Sequence, residues 1–335
     1  MRYVIIGNSA AAVGCIEGIR QLDKGGSVTV ISSEPYHTYS RPLISYLLWG
    51  KTTEEGMKYR PDGFYEQNGC RALLGRAAVG IDPKKKQVTL DGGETLPYDK
   101  LLVAAGSRPF VPPMEGLDGV KNSFTFMSLD DARALGEALR PDSRVLVVGA
   151  GLIGLKCVEG IRDRVGEVTV ADLAGRILPS VLDEAGAALM QRHIESHGVR
   201  FLLGDSVAAF EGNTARMKSG ASVEFDILVT AVGVRTSLDA LTSRAAQLPG
   251  IRLDRPGRVI GKNTVDCMRS GIMYGTAAML DGLVERIEAE LGHKSTLIAT
   301  GGLAQFITPL CKREIILEKD LLLKGLNVIY KKNKR

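Results

Sequence analysis

Short continuous apolar runs alternate with stretches of helical spacing along this chain, and the alternation occurs twice in the same order. Tyr3-Val4-Ile5-Ile6 has the length and character of a buried parallel strand. It stops at the small-residue turn Gly7-Asn8-Ser9-Ala10-Ala11-Ala12, continues as a helix through Gly14-Cys15-Ile16-Glu17-Gly18-Ile19-Arg20, and returns as a strand over 28–31 followed by Glu34. Residues 144–172 repeat the plan. A strand over 144–148 leads to the turn Gly149-Ala150-Gly151-Leu152-Ile153-Gly154, a helix over 155–162, a strand over 167–170 and then Asp172. A second echo joins Tyr98-Asp99-Lys100-Leu101-Leu102-Val103-Ala104-Ala105-Gly106-Ser107-Arg108 to Phe225-Asp226-Ile227-Leu228-Val229-Thr230-Ala231-Val232-Gly233-Val234-Arg235 without a gap. Aromatic, Asp, buried strand, Gly, any residue and Arg fall in the same order both times.

This repeated pattern predicts an α/β chain with two Rossmann-like dinucleotide-binding domains. A helix N-terminus offers unpaired N–H groups and the positive end of its dipole, which favour a pyrophosphate. The backbone must approach the phosphates closely, so the turn needs residues with little or no side chain. Gly149, Gly151 and Gly154 meet that need, with Leu152 and Ile153 between them; in the first turn Ser9 and Ala12 stand in place of two glycines. Both are small, and Ser caps helices well, so the first turn reads as a variant site. Glu34 and Asp172 suit the adenosine ribose hydroxyls. No Arg directly follows Asp172, which favours NAD over NADP, although Arg176 lies close.

Elsewhere the pattern predicts a strand over 87–90 after the solvated hairpin end Lys84-Lys85-Lys86, and a helix over 184–197. His193 and His197 share a face of that helix, but no third ligand accompanies them, and no metal is expected. His37 either lines the pocket or serves the loop structurally. Residues 271–291 read as an amphipathic helix with Ile272, Ala277, Leu280, Leu283, Val284, Ile287 and Leu291 toward one side. A buried-type strand over 296–299 and a helix over 318–331 follow, giving a partial α/β C-terminal segment.

Composition adds limits. The 335 residues are 44% hydrophobic and 24% charged, enough for two or three ordinary cores. A net charge of +5 with scattered lysines gives no reason to expect nucleic acid, and no apolar run nears the roughly 20 residues of a membrane span. The five cysteines (15, 70, 157, 267 and 311) form no C-x-x-C pair, and a strand begins at once at the N-terminus; a reducing cytoplasm is the expected location.

With these residues in view, residues 1 to about 255 resemble the pyridine-nucleotide-dependent FAD oxidoreductases, the family of rubredoxin reductases, NADH oxidases and the flavin portion of nitrite reductases. The resemblance is carried by Val4-Ile5-Ile6-Gly7-Asn8-Ser9-Ala10-Ala11-Ala12, Tyr39-Ser40-Arg41-Pro42-Leu43-Ile44-Ser45-Tyr46-Leu47-Leu48, Ala104-Ala105-Gly106-Ser107-Arg108-Pro109, Arg176-Ile177-Leu178-Pro179 and Ala231-Val232-Gly233-Val234-Arg235. It implies an FAD-binding domain at 1–112 and 236–257, an inserted NAD(H)-binding domain at 113–235, and a remaining segment at 258–335. It places the FAD pyrophosphate at Gly7, Ser9, Ala10, Ala11 and Ala12, the adenosine ribose at Glu34, the flavin side at Arg41 and Pro42, and the adenine near Val79. Ala105, Gly106 and Arg108 join the FAD site; Gly149, Gly151, Leu152, Ile153, Gly154, Asp172 and Gly233 form the NAD site. Disulfide reductases of this superfamily carry a redox cysteine beside the flavin, and Tyr39–Ile44 contains none. Electrons from NADH are then expected to leave the flavin directly for a small-molecule or redox-protein acceptor.

The resemblance breaks after residue 255, where a Thr-Ser-x-x-x-(Ile/Val)-(Tyr/Phe)-Ala-x-Gly-Asp segment is expected and does not occur. Val259–Asp266, Met268–Gly275, Leu297–Ala304 and Leu321–Leu326 are instead similar to the C-terminal part of type III pantothenate kinases, without that family's Asp-x-Gly-Asn-Thr phosphate loop. The expectation is a fusion joined near Asp254–Arg258. Two further readings follow from it: a nucleotide-binding chain with impaired FAD retention and little turnover, and a residual ATP-binding fragment. A last expectation places 296–303 as the closing strand of the FAD sheet, with Gly302 where the missing Asp belongs.

Overall fold

A computed structural model of the chain describes residues 1–236, 257–259, 264–301 and 304–318, with positions 320, 321, 324, 325 and 328. The chain divides into two compact units, Met1–Ala245 and Ala246–Arg335.

Within the first unit the sequence repeat becomes a structural one. The first half runs β1 (Arg2–Ile6), α1 (Ala10–Leu22), β2 (Ser27–Ser32), α2 (Ile44–Leu48), α3 (Phe64–Gln67), β3 (Cys70–Leu74), the ribbon β4 (Ala78–Asp82), β5 (Gln87–Leu90) and β6 (Thr95–Pro97), and β7 (Lys100–Val103). Its sheet has the order β3-β2-β1-β7, all parallel. Parallel sheets need both faces covered, which is why these strands read as unbroken apolar runs. Successive residues of β1 face opposite layers: Ile5 packs with Ala12, Val13 and Ile16 of α1, while Val4 and Ile6 pack with Val88 and Leu90 of the antiparallel ribbon.

The second half continues through β8 (Ser107–Pro109), β9 (Ser123–Thr125), α4 (Leu129–Ala138), β10 (Arg144–Val148), α5 (Leu152–Ile161), β11 (Glu167–Asp172), α6 (Glu184–Glu195), β12 (Val199–Leu203), the ribbon β13 (Val207–Glu211), β14 (Thr214–Met217) and β15 (Ser222–Glu224), β16 (Ile227–Thr230) and β17 (Val234–Thr236). Its sheet, β12-β11-β10-β16-β9, is again parallel. Leu146 and Val148 pack on Phe210, Ala215, Met217 and Phe225 of the ribbon, the same layering as in the first half.

The late echo acquires a physical reason. Asp99, just before β7, takes both the N–H and the guanidinium of Arg2 at the start of β1, at 2.7 and 2.8 Å. Asp226, just before β16, does the same for Arg144 at the start of β10, at 2.8 and 3.0 Å. Each repeat thus latches its central strand to the strand beside it. The Gly-x-Arg ends of the two echoes pair with one another: β8 lies antiparallel to β17, with Arg108 opposite Arg235.

The second unit contains α7 (Thr264–Leu291), β18 (Ile298–Ala299), α8 (Ala304–Ile307) and β19 (Ile316–Leu317). The helix expected from 271 begins at 264, and its buried line matches the expected one only in part. Ala277 is buried as expected and Leu280 and Val284 are half-buried, but Ser270, Met273 and Asp281 turn inward while Leu283, Ile287 and Leu291 are about half exposed; the side chain of Ile272 lies outside the described residues. The reason lies in Asp281, whose buried carboxylate accepts the N–H of Lys312 at 2.9 Å, and in a Glu288–Arg313 ion pair at 2.5 Å, both tying α7 to the 311–313 loop. The expected closing strand is also corrected: among the described residues β18 pairs with β19 in a two-stranded sheet of its own, and the first sheet has the four strands β3, β2, β1 and β7. Gly302 lies outside the described residues, as do 260–263 and most of 318–331, where the described positions 321, 324, 325 and 328 are helical.

Candidate functional site

A cavity of about 1300 Å³ opens at the C-terminal ends of β1, β2 and β7. This is the crevice where open parallel sheets bind nucleotides, and its volume exceeds the roughly 300–1,000 Å³ of ordinary small-molecule pockets. Of the expected residues, Gly7, Ser9, Glu34, Arg41, Val79, Ala105, Gly106 and Arg108 line it. Ala10, Ala11, Ala12 and Pro42 do not: Ala12 is fully buried under the sheet, and the others are exposed.

Gly7 has φ +117°, and a Cβ there would sit 2.0 Å from the Ala104 carbonyl oxygen, so no other residue fits. Its N–H donates to the Ile31 carbonyl at 2.8 Å, fixing the turn to β2. Ser9 is the N-cap of α1, but its side chain makes no capping bond, contrary to the expectation that its hydroxyl caps the helix. Ser9 lines the cavity instead. Asn8, which sequence reasoning passed over, also lines the cavity and holds the turn: its Oδ1 accepts from Tyr65 Oη at 2.8 Å and its Nδ2 donates to the Tyr36 carbonyl at 3.2 Å.

Glu34 and Arg41 form an ion pair at 2.6 Å inside the cavity. Tyr39 Oη donates to Glu34 at 3.1 Å and accepts the N–H of Leu129 at 3.0 Å, joining the loop after β2 to the first turn of α4. Burial, with Glu34 beside it, pushes the Tyr39 phenol up to about 12, so it stays a donor at neutral pH. The far wall comes from the start of α4, through Thr125, Met127, Ser128 and Asp131. Asp131 and Ser128 form a capping box that orders this wall. Arg76 adds a third cation to Arg41 and Arg108. Arg76 carries no local sequence signal, and Asp131 leaves only the Ser-x-x-Asp pattern before a helical run.

The second turn is built on the same frame. Gly149 has φ +118°, donates to the Ala171 carbonyl at 2.8 Å, and would place a Cβ 2.5 Å from the Ala231 carbonyl oxygen. Gly154 is buried, and a Cβ there would lie 1.9 Å from the Gly149 carbonyl oxygen, so the helix packs on its own turn only without a side chain. Gly151, the N-cap of α5, faces open space, Leu152 beside it is largely exposed, and Ile153 is half-buried. Gly233 carries φ +149° and accepts from Phe110 N–H at 2.9 Å. Asp172 stands at the end of β11 as expected, yet its carboxylate is already engaged: Oδ2 accepts the N–H of Ala150 at 2.6 Å and Oδ1 that of Ala174 at 2.7 Å. His193 and His197 meet edge to face with ring centroids 4.7 Å apart, both exposed, and α6 ends at Glu195, short of the expected 197. His37 does not line the cavity; its ring packs on Tyr65.

Fold and site together define a doubly wound α/β protein with two nucleotide-type turns, one of them opening on a large cavity. The sequence signature of the pyridine nucleotide-disulphide oxidoreductases matches residues 1–264. The chain belongs to that family. It is 31% identical over 259 residues to the assimilatory nitrate reductase electron transfer subunit of Bacillus subtilis (strain 168), covering 76% of this chain and 33% of that protein. It is 28% identical over 294 residues to a rubredoxin-NAD(+) reductase of Pseudomonas putida, covering 84% and 76%. Among solved structures, the covalent putidaredoxin reductase–putidaredoxin complex superposes with a TM-score of 0.68 at 25% identity, over 74% of this chain and 62% of that one. The chain thus spans about a third of the nitrate reductase subunit. Among the described residues no helix is long and apolar enough to cross a membrane.

Proposed function

We propose that this chain is an NADH-linked FAD oxidoreductase whose first cavity holds FAD and whose second turn holds NAD(H), with electrons leaving for a small-molecule or redox-protein acceptor. On this reading residues 1–112 and 236–257 serve FAD and 113–235 serve NAD(H). The observation that carries it is the cavity itself: a turn only glycine can make, an acid at the end of β2, and three arginines, all at the mouth of one parallel sheet. These residues fit a dinucleotide. Gly7, Asn8 and Ser9, ahead of the N-terminus of α1, would hold its pyrophosphate, Glu34 its ribose hydroxyls, and Arg41, Arg76 and Arg108 would offset its charge. Bound FAD supplies a two-electron centre able to accept hydride from a reduced nicotinamide. The protein supplies position and field: Tyr39 keeps Glu34 and Arg41 aligned, and the Asp131 capping box keeps the α4 wall in place. The relatives support the acceptor class, one being named for rubredoxin and one being complexed with putidaredoxin.

A redox cysteine has no part in this proposal. The thiols of Cys15, Cys70, Cys157 and Cys311 are all pushed up by burial, and none lines the cavity. A low-pKa thiolate is what such a relay needs. The test is the visible flavin absorbance of the purified chain, its FAD content, and anaerobic bleaching by NADH. A chain that binds no flavin when FAD is supplied refutes the proposal.

A second reading, weak FAD retention, rests on the sequence, where the expected Ala-x-Gly-Asp segment does not occur after residue 255. An absent charged acceptor typically costs about 1.5–3 kcal/mol; on this reading FAD is lost on dialysis and restored by added flavin. The comparisons lend the kinase resemblance of 258–335 no support: the family match runs on to residue 264, past the expected junction near Asp254–Arg258 and into the first of the kinase-like stretches. We assign it no phosphoryl transfer, which needs a phosphate loop and a metal-binding acid.

A further inference from the structure

The supports of the two nucleotide sites touch between α2 and α5. Helix α2 continues directly from the Arg41–Leu43 turn, whose Arg41 lines the cavity, and α5 starts at the second Gly-rich turn. Gly160 lies nine residues along α5 from Gly151, about 14 Å at the ordinary helical rise. It is buried, and a Cβ there would meet the Ser45 carbonyl oxygen at 2.8 Å and Leu48 Cβ at 3.2 Å. Backbone therefore lies against backbone at this point. The contact is clamped on its rim. Arg164 donates to the Leu48 carbonyl at 3.1 Å and to the Gly136 carbonyl at 3.0 Å, so one guanidinium closes α2 and reaches α4. Trp49 Nε1 donates to Asp163 at 3.2 Å, and the Lys156 ammonium sits 4.4 Å from the centre of the Tyr46 ring.

We propose that Gly160 is a positioning residue for the reaction assigned above: by admitting the α2 backbone against α5 it sets the spacing between the two cofactor supports, and Arg164 holds that spacing. The inference rests on the oxidoreductase reading. Neither residue lines the FAD cavity or belongs to the second Gly-rich turn, so both act through Ser45 and Leu48. A methyl group at Gly160 has backbone in its way, and the seam must open by tenths of an ångström or more. Misplacement on the ångström scale, remote from the chemistry, costs up to about a hundredfold in rate.

The test compares the parent chain with Gly160→Ala and Arg164→Met. For each, FAD content, NAD⁺ affinity by calorimetry, amide exchange of 44–49 without cofactor, and the rate of flavin reduction per bound FAD at saturating NADH are measured. The expected result for Gly160→Ala is faster exchange at 44–49, FAD content and NAD⁺ affinity within about twofold of the parent, and a reduction rate lower by about ten- to a hundredfold. Arg164→Met should move the same two quantities in the same direction by a smaller factor. Faster exchange with an unchanged rate per bound FAD overturns the inference, because it makes the seam structural only. So does a fall in FAD content with no change in that rate. Should Gly160→Ala fail to fold, the rate per bound FAD of Arg164→Met decides alone: lowered it supports the spacer, unchanged it overturns it. A parent flavin that NADH does not bleach refutes the function, whereas a bleached parent with unaffected variants refutes only the spacer.

Discussion

Replacing Asp172 tests whether this residue only discriminates between nucleotides or also holds the turn that binds them. A carboxylate that merely accepts ribose hydroxyls and repels a 2′-phosphate predicts that Asp172→Ala weakens NADH and spares or improves NADPH. The geometry predicts more. Asp172 takes the Ala150 N–H at 2.6 Å and the Ala174 N–H at 2.7 Å, and Ala150 is fully buried inside the Gly-rich turn. Removing the carboxylate leaves a buried donor with no partner, a cost of about 1–3 kcal/mol. Asp172 is itself half-buried, which favours the middle of that range, about 2 kcal/mol or roughly thirtyfold in affinity. Loss of the brace falls on both nucleotides, because both need the turn; loss of the ribose contact falls on either, and only the removal of repulsion favours NADPH. The parent chain should therefore prefer NADH, and in Asp172→Ala the affinities for both should drop while their ratio narrows. Calorimetric titration of NAD⁺ and NADP⁺, with amide exchange across 149–154, reads both effects. NADP⁺ binding that tightens in Asp172→Ala, with exchange in the turn unchanged, would refute the bracing role. Equal kcat/KM for NADH and NADPH in the parent would refute the preference.

Other expectations follow from equally local features. Gly154→Ala forces a methyl to within 1.9 Å of the Gly149 carbonyl oxygen, so NADH binding should be lost while FAD content is kept; retained NADH affinity would show that α5 can slide off its turn. The strand latches should fail in acid. Asp99 is held down to about 2 by the Arg2 side chain and N–H, and Asp226 is lowered by Arg144, so their stabilisation is present above the ordinary carboxylate range of roughly 3.9 and disappears as pH falls through the folded value. Thermal denaturation from neutral pH down to about 2 should steepen in that window, and Asp99→Asn should flatten the acid limb. Alkylation of accessible thiols should leave NADH–dye reductase activity largely intact. A loss tracking Cys15 modification would mean that the first helix carries the chemistry after all.

The repeated strand–turn–helix units, the glycines of the second turn, the acids at 34 and 172 and the small residues of the first turn were legible because each is a local pattern. A parallel strand buried on both faces must be apolar throughout, and a backbone so close to its neighbour that an added Cβ would lie 2.0 Å from a carbonyl oxygen, as at Gly7, admits no side chain. Those constraints act on adjacent residues and leave their mark in the sequence. The rest was decided by partners far apart in the chain. Asn8 meets Tyr65, Tyr39 meets Leu129, Asp99 meets Arg2, and Ser45 meets Gly160; nothing in the spacing of either partner announces the other. The α7 face was misread for the same reason. Its hydrophobic residues offer more than one stripe, and a carboxylate at 281 with backbone donors from 312 and 313 settles which side turns inward. Asp172 shows the division within one residue. Its place after the second strand is a property of the sequence, but its engagement with Ala150 and Ala174 exists only once β11 lies beside β10 and the turn folds over it.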